Sequence, residues 1–211
     1  MSSSKKGMFI SFEGIDGCGK STQVKLLINK LKKEGIESLL VREPGGPEIS
    51  EQIRSVLLNI NNQLMTSRTE ALLMTASRAQ LTKEVILPAL KSHKYIIADR
   101  YKDSTLAYQS GGRGLEMKFL VALNNFATYN VDPDITFFID IDPDIAAKRS
   151  KNKSLDRIET NGVTFQTMVR NSYLKIIKFF PERIHTIDGS QSIQAIHETI
   201  LQKIYLKNNE K

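Results

Sequence analysis

The sequence predicts an α/β fold, an open five-stranded parallel sheet flanked by helices on both faces. Three observations carry the prediction. Strand-like and helix-like segments alternate almost to the end of the 211 residues, the pattern that builds parallel sheets through crossover helices. The strand segments 8–13, 38–42, 94–98, 135–141 and 184–187 are short, mostly apolar and often β-branched, as strands covered on both faces must be. The first of them runs directly into Gly14-Ile15-Asp16-Gly17-Cys18-Gly19-Lys20-Ser21. Two glycines around a four-residue loop, then Lys-Ser, form the phosphate-binding pattern that joins a strand to a helix.

Each element has its own warrant. After the loop, Leu26, Leu27 and Leu31 recur at helical spacing, so the segment 19–33 reads as a helix whose N-terminus faces the phosphate. Further helical patterns cover 47–59, 67–91, 115–128, 143–150, 162–179 and 191–206. Ser67 and Glu70 have the spacing of a capping box and start the long third helix. Asp142-Pro143 sets a capping carboxylate before a first-turn proline. Residues 1–7 are expected to be a disordered N-terminus and 8–211 one domain.

Composition narrows the function classes. Thirty Lys and Arg against 23 Asp and Glu give a net charge of +7, which suits anionic ligands. The basic residues are scattered except for Lys148-Arg149-Ser150-Lys151-Asn152-Lys153, and no aromatic run interleaves with them, so nucleic acid is not the expected partner. No apolar run has the length of a membrane span and the N-terminus lacks a signal-peptide core. One cysteine allows no internal disulfide, which agrees with a reducing, cytoplasmic compartment. His93, His185 and His197 show no metal spacing.

The loop carries the strongest chemistry. Its glycines let several N–H groups face one anion, Lys20 brings a mobile charge to the outer phosphates, and the Ser21 hydroxyl is placed for Mg²⁺. Together they imply a nucleoside triphosphate site. The other polar motifs follow predicted strands and can converge on the same cleft. Arg42-Glu43-Pro44-Gly45-Gly46-Pro47 is either a plain turn or a lining of that cleft. Asp99-Arg100 offers a metal-binding carboxylate and a phosphate clamp, or else an internal ion pair. If 101–109 is helical, Tyr101, Thr105, Tyr108 and Gln109 share a face, and Gln109 can address a pyrimidine edge or simply be solvated. Arg54 and Arg78 lie on helix patterns, where arginine is ordinarily a surface charge. The basic stretch 148–159 is a solvated face or a mobile lid that shields the transferring group from water.

In this order and spacing the segments resemble the thymidylate kinase family, in its bacterial form. The resemblance rests on Phe12 to Gln23, Arg42-Glu43-Pro44-Gly45-Gly46, Ala76-Ser77-Arg78, Asp99-Arg100-Tyr101, Ser104 to Gln109 with Gly111-Gly112-Arg113-Gly114, and Asp156-Arg157-Ile158-Glu159. It covers about residues 8 to 190 and implies a P-loop kinase fold that transfers a phosphoryl group from ATP to dTMP with Mg²⁺, on the route to dTTP. Gly14, Ile15, Asp16, Gly17, Cys18, Gly19, Lys20, Ser21 and Thr22 would hold the ATP phosphates, with Arg149 near the adenine. Asp16 would accept from the 3′-hydroxyl of the deoxyribose. Arg54 and Arg100 would grip the dTMP phosphate, and Arg78 and Gln109 would read the thymine, with Ser104 and Tyr108 nearby. Glu43 and Asp99, with Ser21, would lie at Mg²⁺. The lid, about 149–160, would bring Arg157, with Lys151 or Lys153, to the phosphates, so that Lys20, Asp16, Arg100 and Arg157 carry the catalysis. Relatives form homodimers, for which helix faces near 71–90 and 115–127 are candidates.

Two departures stand out. Met74 occupies the place where many relatives put a phenylalanine under the base, and Cys18 puts a thiol in the loop. Gly17 stands where the eukaryotic form has an arginine, so the lid must supply that charge. Two other activities compete with this reading: another nucleoside monophosphate or deoxynucleoside kinase, and a P-loop regulatory or nucleic-acid-binding ATPase.

Overall fold

The structure, a computed structural model, describes residues 7–92, 94–150 and 155–209. Five strands, β1 (Phe9–Glu13), β2 (Ser38–Arg42), β3 (Tyr95–Asp99), β4 (Ile135–Asp140) and β5 (Ile184–Asp188), form one sheet in the order β2-β3-β1-β4-β5. Every pairing is parallel. The strand that precedes the phosphate loop is central and buried along its whole length. Its neighbours β3 and β4 are reached by crossovers on opposite sides, which opens a crevice at the carboxyl ends of the strands.

The helices are α1 (Lys20–Lys33), α2 (Glu48–Leu58), α3 (Ser67–Leu81), α4 (Leu87–Lys91), α5 (Lys102–Thr105), α6 (Met117–Ala127), α7 (Pro143–Arg149), α8 (Gly162–Phe179) and α9 (Ile193–Asn209). Two apolar clusters cover the sheet. The larger joins Ile10, Phe12, Phe137 and Ile139 to residues of α1, α8 and α9, and the smaller joins Phe9, Ile96 and Ala98 to Leu81 and Ile86. Asp142 caps α7 as its sequence predicts, accepting from Asp144 N.

Three local expectations need correction. The third helix does not run unbroken over 67–91: a π-helical turn at Thr82–Ile86 separates α3 from α4. The capping residue of α3 is Thr66, whose Oγ1 accepts from Thr69 N, not Ser67. Glu70 faces inward and is buried, because Arg113, Arg157 and Gln109 supply it with donors that a helix end could not match. After α5 the chain widens into a second π-helical segment, Leu106–Gly112, a form of helix that concentrates at functional sites. Gly112 meets α8 there. A Cβ on it would lie 2.5 Å from the Phe165 ring, so only glycine lets the two segments approach. Residues 1–6 of the expected N-terminal tail, Lys151, Lys153 and His93 lie outside the described residues.

Candidate active site

The apolar β1 must stop where the chain turns to meet α1, and the glycines make that turn. Gly14, Gly17 and Gly19 all have positive φ. Gly17 lies against α7: a Cβ there would sit 2.7 Å from Ser150 Oγ and closer still to the Ala146 carbonyl. Gly19 precedes α1 and no side chain caps the helix, so its first-turn N–H groups face the loop. Lys20 Nζ donates to the carbonyls of Gly14 and Ile15 at 3.0 and 2.9 Å, which folds the cation over the loop. Cys18 is buried, 3.6 Å from Lys20 Nζ.

Beside the loop, Ser21 Oγ donates to Asp99 Oδ2 at 2.8 Å. These hard oxygen donors stand together at the end of β3, which fits Mg²⁺. Glu43 does not join them directly. Its Oε2 accepts from Arg78 Nε at 2.7 Å, while its buried Oε1 has no partner among the described residues. Burial pushes the Glu43 carboxyl up, against the opposing charge of Arg78.

Arg100 links the loop to the other half of the cleft. It adopts φ 72°, rare for a residue with a Cβ, and its guanidinium is held from four directions. Nη1 donates to Gly14 O at 2.8 Å and Ser104 Oγ at 3.1 Å; Nη2 donates to Asp16 Oδ1 at 2.6 Å and Tyr108 Oη at 3.0 Å. Asp16 also accepts from Tyr108 Oη and from Gln166 Nε2, both at 3.0 Å. Burial opposes the Asp16 charge, but Arg100 and Lys20 outweigh it and lower the pKa to about 2. Asp16 is therefore an anion, and an acceptor, at neutral pH.

Beneath Arg100 lies Glu13, the last residue of β1. It is buried and accepts from Tyr101 N, Ser104 Oγ and Tyr173 Oη. Burial, then the nearby Asp103, raises its pKa to about 7.

Asp16, Lys20, Ser21, Glu43, Asp99 and Arg100 help to line a cleft of about 650 Å³, ample for nucleotide-sized ligands. Asp16 to Gln23, Arg149 and Ser150 line one part; Glu43, Arg54, Met74, Arg78, Arg100, Ser104, Tyr108 and Gln109 line the other.

The sequence model described as Thymidylate kinase matches residues 12–200. The chain belongs to the thymidylate kinase family. It is 48% identical to the thymidylate kinase of Caldanaerobacter subterraneus subsp. tengcongensis, over 96% of this chain and 98% of that one. With the enzyme of Fervidobacterium nodosum it shares 50% identity, over 92% and 97%. The crystal structure of thymidylate kinase from Ehrlichia chaffeensis superposes with a TM-score of 0.78 at 34% identity, covering 94% of this chain and 99% of that one.

Within this thymidylate kinase framework the expected site residues separate into two sets. Asp16 to Thr22, Asp99, Arg100, Arg54, Met74, Ser104, Tyr108, Gln109 and Arg149 are gathered around one cleft. Arg78 lines it too but spends its donors on Glu43, Thr105, Asn124 and the Tyr101 carbonyl. Arg157 departs from its expected place. It is buried, donates from Nε to Leu57 O and from Nη2 to Glu70 Oε2, both at 2.7 Å, and makes no hydrogen bond to the phosphate loop among the described residues. Leaving so enclosed a cation unpaired is costly, and Glu70 supplies the opposing carboxylate. Sequence reasoning passed over Glu13, Glu70, Gln166 and Tyr173. Glu13 left a trace as a lone charge closing an apolar strand, and Glu70 only as a capping residue.

Proposed function

We propose that this protein transfers the γ-phosphoryl group of ATP to dTMP, yielding ADP and dTDP, as a cytoplasmic step toward dTTP. The observation that carries the reading is the Asp16–Arg100 pair, which joins the phosphate loop to the second half of the cleft. Asp16 accepts the deoxyribose 3′-hydroxyl, and Arg100 with Arg54 holds the dTMP phosphate so that one of its oxygens faces the γ-phosphorus. That oxygen forms the new P–O bond as the bond to the departing ADP oxygen breaks, in line and without an enzyme-bound intermediate. Lys20 and the N–H groups at the start of α1 neutralise charge on the ATP phosphates.

Ser21 and Asp99 would hold Mg²⁺, with Glu43 Oε1 free to accept from one of its waters. The ion would supply charge neutralisation at the ATP phosphates. Residues 149–160 would act as a lid, with Arg149 near the adenine. A homodimer fits the exposed apolar residues Leu72 on α3 and Phe119 and Phe126 on α6, exposed 54%, 53% and 82%.

The direct test is ³¹P NMR of ATP, Mg²⁺ and dTMP with the protein. Two new diphosphate species, ADP and dTDP, in equal amounts are expected. ADP with inorganic phosphate instead would make the protein an ATPase and refute the transfer.

A further inference from the structure

Glu70 lies one shell behind the cleft, and its contacts have a chemical consequence for the base. Its side chain is 2% exposed. Arg113 donates to both oxygens, at 2.9 and 3.0 Å, and Arg157 donates to Oε2 at 2.7 Å. Burial alone would raise its pKa; the bonds and charges of Arg113 and Arg157 outweigh it and hold the carboxyl below its usual value. An ionised carboxylate only accepts hydrogen bonds. Gln109, 3.0 Å away, must therefore turn its Nε2 toward Glu70 Oε1. The amide cannot flip without setting oxygen against oxygen. Gln109 lines the cleft, and its Oε1 takes no donor among the described residues.

We propose that Glu70 is a positioning residue that locks the Gln109 amide so that an acceptor faces the base, and thereby selects bases with a ring N–H at position 3. Thymine and uracil carry that donor. Cytosine presents a lone pair at the same atom and meets Oε1 acceptor to acceptor. The inference rests on the dTMP reading above. It adds a source of pyrimidine selectivity beside the contact expected from Arg78, which lines the same cleft.

The test compares kcat/KM for dTMP and dCMP in the wild-type protein and in Glu70→Gln. A carboxamide at 70 can donate as well as accept, so the Gln109 amide is no longer forced into one orientation. The preference for dTMP over dCMP is expected to narrow by about tenfold or more, mainly through KM. A folded variant with the wild-type preference overturns the proposal, whatever its loss of stability, because a merely structural role would not move the ratio. If the variant does not unfold cooperatively, the wild-type protein decides. Protonation turns N3 of cytosine into a donor, so dCMP affinity relative to dTMP should rise as pH falls toward that protonation. A ratio independent of pH overturns the proposal. A wild-type protein that ignores dTMP removes the underlying reading instead.

Discussion

Adding one methyl group at Gly17 probes how the phosphate loop is fitted to α7. Gly17 has φ +78°, and the left-handed backbone costs a residue with a Cβ about 1–2 kcal/mol. That Cβ would also fall 2.7 Å from Ser150 Oγ and nearer to the Ala146 carbonyl, whereas ordinary contact begins at 3.4 Å. Backbone cannot swing aside as a flexible side chain does, so α7 must retreat by about 1 Å, and such overpacking costs about 1–3 kcal/mol. Gly17→Ala is expected to lose about 2–5 kcal/mol in urea unfolding. Because Arg149 and Ser150 line the cleft at the end of α7, the KM for ATP should rise between about 10- and 100-fold, the scale of a misplacement of that size. The KM for dTMP should change much less. A variant within about 0.5 kcal/mol of wild type, with an unchanged KM for ATP, would refute the close fit of loop and α7.

Four further outcomes follow from the geometry. The folded-state pKa of Asp16 is depressed to about 2, so its stabilisation is present above its unfolded pKa and disappears as pH falls; the advantage of wild type over Asp16→Asn should shrink by about 1 kcal/mol between pH 5 and pH 3. Equal differences at both pH values would contradict the assignment. Glu13, raised to about 7, has the opposite sign: its contribution is whole below its unfolded pKa and is lost as pH rises through 7. Wild type should therefore lose about 3 kcal/mol relative to Glu13→Gln between pH 4 and pH 8, and parallel stability curves would refute this. Gly112→Ala should destabilise by about 1–3 kcal/mol because its Cβ meets the Phe165 ring at 2.5 Å; thermal melting checks it, and an unchanged Tm would mean the helices can part freely. Arg157→Met removes a partner of buried Glu70 and should cost about 3 kcal/mol in urea unfolding. In its kinetics, KM for dTMP should rise more than kcat falls; a collapse of kcat at constant stability would return Arg157 to the phosphates.

Much of the fold was legible because its signals are local. Each strand was found to within about two residues, since buried parallel strands write themselves as short apolar runs. The phosphate loop was legible because its glycines, lysine and serine are adjacent in the chain. The roles of Glu70 and Arg157 were not, since they meet across 87 positions and no spacing rule links them. Glu70 matched a capping pattern one residue from the true cap, Thr66, and local chemistry offered no reason to prefer burial. The π-helical turns were equally hidden, because their i→i+5 bonds are chosen by packing rather than by propensity. Gln109 could be picked out as a base reader through the resemblance, but which of its two atoms faces the cleft depends on a carboxylate 39 positions away.

The most direct measurement is ADP formation with ATP and Mg²⁺ in the separate presence of dTMP, dUMP, dCMP, dAMP and dGMP. The account predicts strong acceleration by dTMP, weaker acceleration by dUMP and little by the other three. Equal stimulation by all five, or none by dTMP, would contradict it.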